Sequence, residues 1–277
     1  MPKRARETDA LPFFSPVFFG AKMKVQVGST TVEIKVSAIL SAPRLGFTAN
    51  FFGWAQALMP LGIKPTVGTG AFWGQVLTNC MEQFEDESQY LLCMDYDSFF
   101  NQQDVEALMA MAMTFQCDAL TGLMVKREDG RPMLTLLDTL KNPPASGSTT
   151  INREWFNEPV QEVDSAHFGC TVISTAALRR AKKPWFHDVP NSLGSWGDRP
   201  ASMAADEKFI PRCDSDIWFW RNWRESGNRV FVTPRVTIGH GEYVAVWPSK
   251  NFTAPVFQYI TNYTKESKAP AEAWSIE

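Results

Sequence analysis

The sequence predicts an α/β protein: a Rossmann-like, mostly parallel sheet with helices on both faces, preceded by a β-hairpin. Three observations predict it. Strand-like and helix-like patterns alternate over residues 36–126, as expected of strands joined by crossover helices. Before them, "MKVQVGSTTVEIKV" alternates on both sides of Gly28-Ser29, which reads as a hairpin. The 277 residues, 44% apolar and 21% charged, suffice for one large domain with a substantial core.

The elements follow in order. The opening "MPKRARETDALPFFSPVFFGAKMK" is basic and then apolar, but Pro12 and Pro16 interrupt it and no clean cleavage site follows. It reads as a loose basic arm and a packed aromatic segment rather than a signal peptide. The second hairpin arm continues into "SAILSAPR", a more uniformly apolar strand ending at Pro43. "FTANFFGWAQALMP" has a helical rhythm that stops before Pro60, and "GIKPTVG" is a short strand. "FWGQVLTNCMEQFEDE" is a helix, "QYLLCM" a buried strand, "QQDVEALMAMAMTF" a helix with a Met-rich face, and "CDALTGLMVKR" a strand.

Beyond residue 126 the pattern loosens. "TLKNPPASGSTTINREWFN" is a loop by composition. "PVQEVDSAHFGCTVIST" holds one or two strands and "AALRRAKKPWF" a short basic helix ending at Pro184. A polar Gly/Pro-punctuated stretch then leads to "DSDIWFWRNWRES", a helix closed by Gly227. "RVFVTPRVTIGH" is one or two strands ending at His240. The expected organisation is an arm and hairpin over 1–35, a main α/β domain over 36–241, and a C-terminal tail over 242–277 packed on it.

Composition excludes some classes. A net charge of −3 argues against coating nucleic acid by bulk charge, while allowing a local basic patch. No apolar run reaches the roughly 18–20 residues of a spanning helix, so no membrane segment and a cytoplasmic location (of a host cell, if the chain is viral) are expected. The five cysteines, Cys80, Cys93, Cys117, Cys170 and Cys213, are odd in number and widely spaced, with no CxxC pair. They read as buried free thiols in a reduced compartment, not as a zinc site.

The chemistry concentrates at strand ends. In "QYLLCMDYDSFF" a buried strand runs into Asp95 and Asp97. Two carboxylates beyond the carboxyl end of a parallel strand stand where such sheets bind ligands. They suit Mg²⁺ or Mn²⁺ held beside phosphate oxygens. The alternative is that one of them caps the helix starting near Asn101. His240 also ends a strand and is a ligand type for Mn²⁺-like metals. Asp214 and Asp216 open an aromatic helix. They fit a general base for an attacking hydroxyl, or acids that complement the helix dipole.

In this order the pieces resemble the nucleotide-sugar glycosyltransferases of the GT-A fold, family-2-like. The matching features are "SAPR", "LLCMDYDSFF", "FGCTVISTAAL", "SDIWFWRNWRESG" and "RVFVTPRVTIGH", over roughly residues 36–241. The resemblance implies Asp97 as principal metal ligand, His240 completing the ligands, and Asp95 contacting the ribose or a metal-bound water. It implies Pro43 and Arg44 near the nucleotide, with Tyr96 between the two acids in the same donor site. It implies Asp216 as catalytic base, with Asp214 in play because Ser215 stands where the family often carries Glu. His167, Gly169 and Trp218 would lie on the acceptor side. The implied cofactors are Mn²⁺ or Mg²⁺ and a nucleotide-sugar donor, a UDP-sugar first.

For the acceptor, basic residues cluster at Arg179, Arg180, Lys182 and Lys183, at Arg221, Arg224 and Arg229, and at Lys3, Arg4 and Arg6. Trp185, Phe186, Trp196, Trp218 and Trp220 lie nearby in the chain. Charge with aromatic platforms suits nucleic acid, while a solvated helix face and core tryptophans explain most of the same residues. The chain also resembles virus-encoded enzymes that glycosylate hydroxymethylated pyrimidines in DNA, such as 5-hydroxymethylcytosine in bacteriophage, which makes DNA with hydroxymethylated bases the preferred acceptor. The alternatives are a saccharide or lipid-linked glycan acceptor, a nucleotidyltransferase, a haloacid-dehalogenase-like phosphatase, or a non-catalytic binding module.

Overall fold

The computed structural model describes residues 20–42, 48–126, 130–138, 151, 153–200, 202–204, 207–250, 254–259, 262, 265–266 and 268–273. β1 (Ala21–Val27) and β2 (Thr30–Ser41) form the expected antiparallel hairpin. Its two-residue turn needs a positive φ, which Gly28 supplies at +58°. β2 is a single 12-residue strand, so the hairpin arm and the first core strand are continuous.

Then come α1 (Thr48–Leu58), β3 (Pro65–Gly68), α2 (Trp73–Phe84), β4 (Tyr90–Asp95) and the two-residue β5 (Ser98–Phe99). α3 (Gln102–Thr114), β6 (Ala119–Leu123) and β7 (Leu134–Leu136) follow. β8 (Gln161–Ala166) and β9 (Cys170–Ser174) lead into α4 (Thr175–Arg180) and, after a long irregular stretch, α5 (Ser215–Glu225). The chain then forms β10 (Val230–Thr237), β11 (Gly239–His240), β12 (Val244–Pro248) and β13 (Pro255–Tyr259).

Nine strands form one sheet in the order β1-β2-β4-β9-β6-β10-β8-β7, with β3 also on β2. One edge of β2 serves β1 over Thr30–Val36 and β3 over Ala38–Ser41, while the other pairs with β4. β3 and β4 run parallel to β2, and β10 runs parallel to β6. β9 is antiparallel to both β4 and β6. β2, β3, β4, β6, β7 and β10 therefore share one direction, and the sheet is mostly parallel by direction but mixed by pairing. β8 and β9 are separated only by His167–Gly169 yet pair with different strands. The chain sidesteps there, and that step forms part of the site wall.

The period of two in the strands divides the core into two faces. On β4, Leu92 and Met94 pack with α1 and α3, whereas Leu91 and Cys93 pack with α2, α4 and α5. The aromatic helix α5 buries Phe219, Trp220 and Trp223. The indole N–H of Trp220 donates to the Ala166 carbonyl and that of Trp223 to the Arg229 carbonyl, so the polar end of each ring is satisfied. All five cysteines are buried and free. Among the described residues no helix is long and apolar enough to cross a membrane.

Candidate active site

Register brings the first acid into contact with its neighbours. Ser41 lies opposite Asp95 in the parallel β2–β4 ladder, and its hydroxyl donates to Asp95 Oδ1. Trp73, the first residue of α2, donates its indole N–H to the same oxygen at 3.1 Å. The Asp95 backbone N–H donates to the Gly169 carbonyl at 3.2 Å. Burial pushes the Asp95 carboxyl above its ordinary range, the Ser41 and Trp73 hydrogen bonds pull it back, Asp97 raises it and His240 lowers it. The strand-end acids and the histidine thus act on one another electrostatically.

Asp97 and His240 meet because β11 pairs with β5. His240 lies opposite Ser98, and the Gly241 N–H donates to the Asp97 carbonyl at 2.6 Å. A side chain at 241 would press on that carbonyl, since a Cβ there would lie 3.0 Å from it and 2.8 Å from the Phe99 ring. His240 Nδ1 stands 2.9 Å from the Val125 carbonyl. A carbonyl only accepts, so Nδ1 carries a proton and Nε2 is the nitrogen left to face the acid turn. That Nε2 is 3.6 Å from Asp97 Oδ2, and both side chains are nearly buried.

The expected alternative role for the acids, capping the next helix, is taken by other residues. Asn101 caps α3 through its side chain on the Asp104 N–H, and Asp104 returns a bond to the Asn101 N–H. Asp95 and Asp97 play no part in the cap.

A cavity of about 400 Å³ opens beside Asp95, with Trp73, His167, Asp188, Asp214 and Asp216 among its lining residues. A second, of about 230 Å³, shares Ala71 and Trp73 with it and is lined by Ser41, Gly70 and Tyr96. Both lie beyond the carboxyl ends of β2, β3 and β4, and Trp73 borders each. Asp216 sits in the first turn of α5, where its Oδ1 accepts the Ile217 N–H at 2.8 Å. Burial raises its pKa, the Ile217 N–H works against this, and Asp214 and then Asp188 add to it. Asp214 is the residue preceding the helix but makes no side-chain cap, pairing instead with Arg212 at 3.0 Å.

The other anticipated residues fall in several places. Tyr96 faces the smaller cavity. His167 borders the larger one, but both its nitrogens are engaged within the fold. Nδ1 accepts the Gly169 N–H at 2.9 Å, and Nε2 stands 2.8 Å from the Gly122 carbonyl. Burial lowers its pKa to about 4, so the ring is neutral with its proton on Nε2. Gly169 is buried beside the acid turn, where a Cβ would lie 2.6 Å from Ser98 Oγ. Trp218 lies outside the lining of either cavity, with its indole N–H on the Pro184 carbonyl and its ring edge-on to His187. Asp97 and His240 line neither cavity. Pro43 and Arg44 lie outside the described residues.

Three residues of the site went unread in the sequence. Ser41 and Trp73 anchor Asp95, and Asp188 adds a third carboxylate beside Asp214 and Asp216. Ser41 is the strand-end residue of the first parallel strand, which is a usable signal. Trp73 and Asp188 have no local signature.

Asp97 and His240 offer a carboxylate oxygen and an imidazole nitrogen, a donor set suited to Mn²⁺ or Mg²⁺. Their 3.6 Å separation matches two donors sharing one ion at about 2.0–2.2 Å each. Among the described residues no group of three or more His, Cys, Asp or Glu is arranged to hold an ion. The two donors brought together are of a type that fits the metal.

No protein-family model matches the sequence, and no curated protein does. Solved structures with partial likeness include A197 from STIV, with a TM-score of 0.44 and 13% identity, covering 75% of this chain and 95% of that one. GalNAc-T7 with UDP, GalNAc and Mn²⁺ has a TM-score of 0.45 and 9% identity, covering 75% and 44%. S. aureus TarS 1–349 with UDP-GlcNAc has 0.43 and 14%, covering 79% and 63%. The chain thus spans less than two thirds of the last two.

Proposed function

We propose that this chain is a GT-A glycosyltransferase that moves a sugar from a nucleotide-sugar, a UDP-sugar first, to an acceptor hydroxyl with inversion. One observation carries the reading. Asp95, from the end of β4, and Asp216, from the first turn of α5, line the same cavity, and the Asp97–His240 pair adjoins Asp95. A diphosphate beside Asp95 and Asp97 needs a counter-charge. A divalent cation held by Asp97 and His240 would supply it and stabilise the charge developing on the leaving group.

The chain's own residues supply the rest. Asp216 accepts the proton of the attacking hydroxyl, a task its raised pKa favours. The hydroxyl oxygen forms a bond to the anomeric carbon as the bond to the diphosphate oxygen breaks, and the nucleoside diphosphate leaves. Asp95, fixed by Ser41 and Trp73, orients the donor. Trp73 and the Phe168 ring pack edge to face and give the cavity an apolar wall.

For the acceptor, the electrostatics favour a neutral saccharide hydroxyl. The cavity is lined by Asp188, Asp214 and Asp216, carboxylates that repel a polyanion. Several of the basic residues that suggested DNA have acidic partners: Arg180 with Asp118, Lys183 with Glu82 and Glu85, and Arg224 with Glu162 and Asp164. Trp185 and Trp220 are core residues. Hydroxymethylated DNA is the second reading, supported by the likeness to the viral enzymes and by the exposed Trp196.

The test is a panel of nucleotide-sugars with Mn²⁺, offered with saccharides, hydroxymethylated DNA and plain DNA, and read by mass spectrometry. Sugar transfer with release of nucleoside diphosphate is expected. Release of pyrophosphate means nucleotidyl transfer, and phosphate from simple monoesters means a phosphatase. A function unchanged in Asp97→Asn means a binding module. Transfer to hydroxymethylated DNA that weakens steeply with salt selects the second acceptor.

A further inference from the structure

Helix α1 carries Asn50 and Trp54 four residues apart, hence on one face, and both are buried. Asn50 Nδ2 donates to the Tyr96 carbonyl at 2.7 Å, and Trp54 Nε1 donates to the Ser98 carbonyl at 3.0 Å. The carbonyl between them, that of Asp97, accepts from the Gly241 N–H at 2.6 Å. Three successive peptide planes are therefore each held from outside the turn. Because a peptide unit is rigid, holding the 96–97 plane through Asn50 and the 97–98 plane through Gly241 fixes the φ and ψ of Asp97 and so the direction of its Cα–Cβ bond, while Trp54, on the 98–99 plane, holds Ser98, the residue opposite His240.

Packing alone does not account for these two side chains. Asn50 Oδ1 is buried and has no hydrogen-bond partner among the described residues, a cost that an apolar residue of similar size avoids. What the amide provides in exchange is its N–H on Tyr96. Trp54 likewise adds to its ring contacts a donor that Phe lacks.

We infer that Asn50 and Trp54 are positioning residues for the Asp97–His240 pair, Asn50 through the plane that precedes Asp97 and Trp54 through Ser98, opposite His240. They hold the acid turn so that the carboxylate faces His240 Nε2 before any ligand arrives. The inference rests on reading Asp97 and His240 as the metal pair, and it adds to that reading the element that aims the pair.

The test uses Asn50→Leu and Trp54→Phe in the full chain. Two quantities are measured: Mn²⁺ binding by loss of the free-ion paramagnetic resonance signal, and amide hydrogen exchange in the metal-free protein over residues 94–100 and at Gly241. Each variant is expected to weaken Mn²⁺ binding about 10-fold, the lower end for partners that orient a ligand, and to speed exchange in those segments about 10-fold. Leu58→Ala removes a fully buried contact from the same helix. It is expected to keep Mn²⁺ affinity within twofold, which separates positioning from general destabilisation. Trp54→Phe keeps the ring and serves if Asn50→Leu does not fold. A folded Trp54→Phe with wild-type exchange in the turn, or with wild-type Mn²⁺ affinity where Asp97→Asn loses it, overturns the inference. If Asp97→Asn binds Mn²⁺ as the wild type does, or the wild type binds none, the metal reading fails. The exchange measurement alone then decides whether the two side chains hold the turn.

Discussion

Asp216 combines two opposed demands. Burial raises its carboxyl pKa, so the folded protein holds that proton more tightly than the unfolded chain. Its contribution to stability is greatest below the unfolded pKa of about 4 and is lost as pH rises through the higher folded value. At pH 7 the ionised group is destabilising. Asp216→Asn is therefore expected to raise the thermal midpoint at pH 7 while lowering turnover about 10²–10⁴-fold. In the wild type, the acid limb of the pH–rate profile should fall above the ordinary carboxylate range. Gly169 is constrained by space. A Cβ there meets Ser98 Oγ at 2.6 Å, the Met124 methyl at 2.9 Å and His167 Nδ1 at 3.0 Å. The methyl can swing aside, but the His167 ring is tied at both nitrogens. Gly169→Ala is expected to cost about 1–3 kcal/mol in urea denaturation.

At the scale of elements, the acid turn is freed for chemistry because α3 brings its own cap. Asn101→Ala should cost about 1 kcal/mol and leave Mn²⁺ binding within twofold. The α5–β8 contact depends on a charge. Arg224 reaches Glu162 Oε1 and Asp164 Oδ1 at 3.1 Å each, and the Asp164 side chain is 2% exposed. Arg224→Met strips a buried carboxylate of its guanidinium and should cost about 3 kcal/mol, measured by chemical denaturation. The same pair shows where sequence reading stops. The hairpin, the apolar β4 and the aromatic α5 were legible because their periodicity is local. Asp97 and His240 stood out as candidates because one follows an apolar strand by two residues and the other closes a strand-like run. Arg224 suggested a nucleic-acid surface because its partners lie about sixty residues away and no local pattern reveals them. Trp73 was missed for the same reason, since its hydrogen bond to Asp95 depends on where α2 begins relative to β4. The reversed β9 was invisible because a strand's direction is set by its neighbours in the sheet.

At the scale of the whole molecule, five separate regions converge on the site: the ends of β2 and β4, the start of α2, the β8–β9 step and the first turn of α5. The step between β8 and β9 carries Gly169 beside the acid turn, and the short β5–β11 pairing returns the chain's last core segment to it. On the proposed metal reading, metal and nucleotide bind cooperatively, since Asp97 and His240 are the two donors brought together among the described residues and the diphosphate would supply others. The most direct test is a calorimetric titration of UDP with and without Mn²⁺, in the wild type and in Asp97→Asn. Mn²⁺ is expected to tighten UDP binding at least about 10-fold in the wild type and to have no effect in Asp97→Asn. UDP binding that is equal with and without Mn²⁺, or a Mn²⁺ effect that survives in Asp97→Asn, would contradict the metal reading.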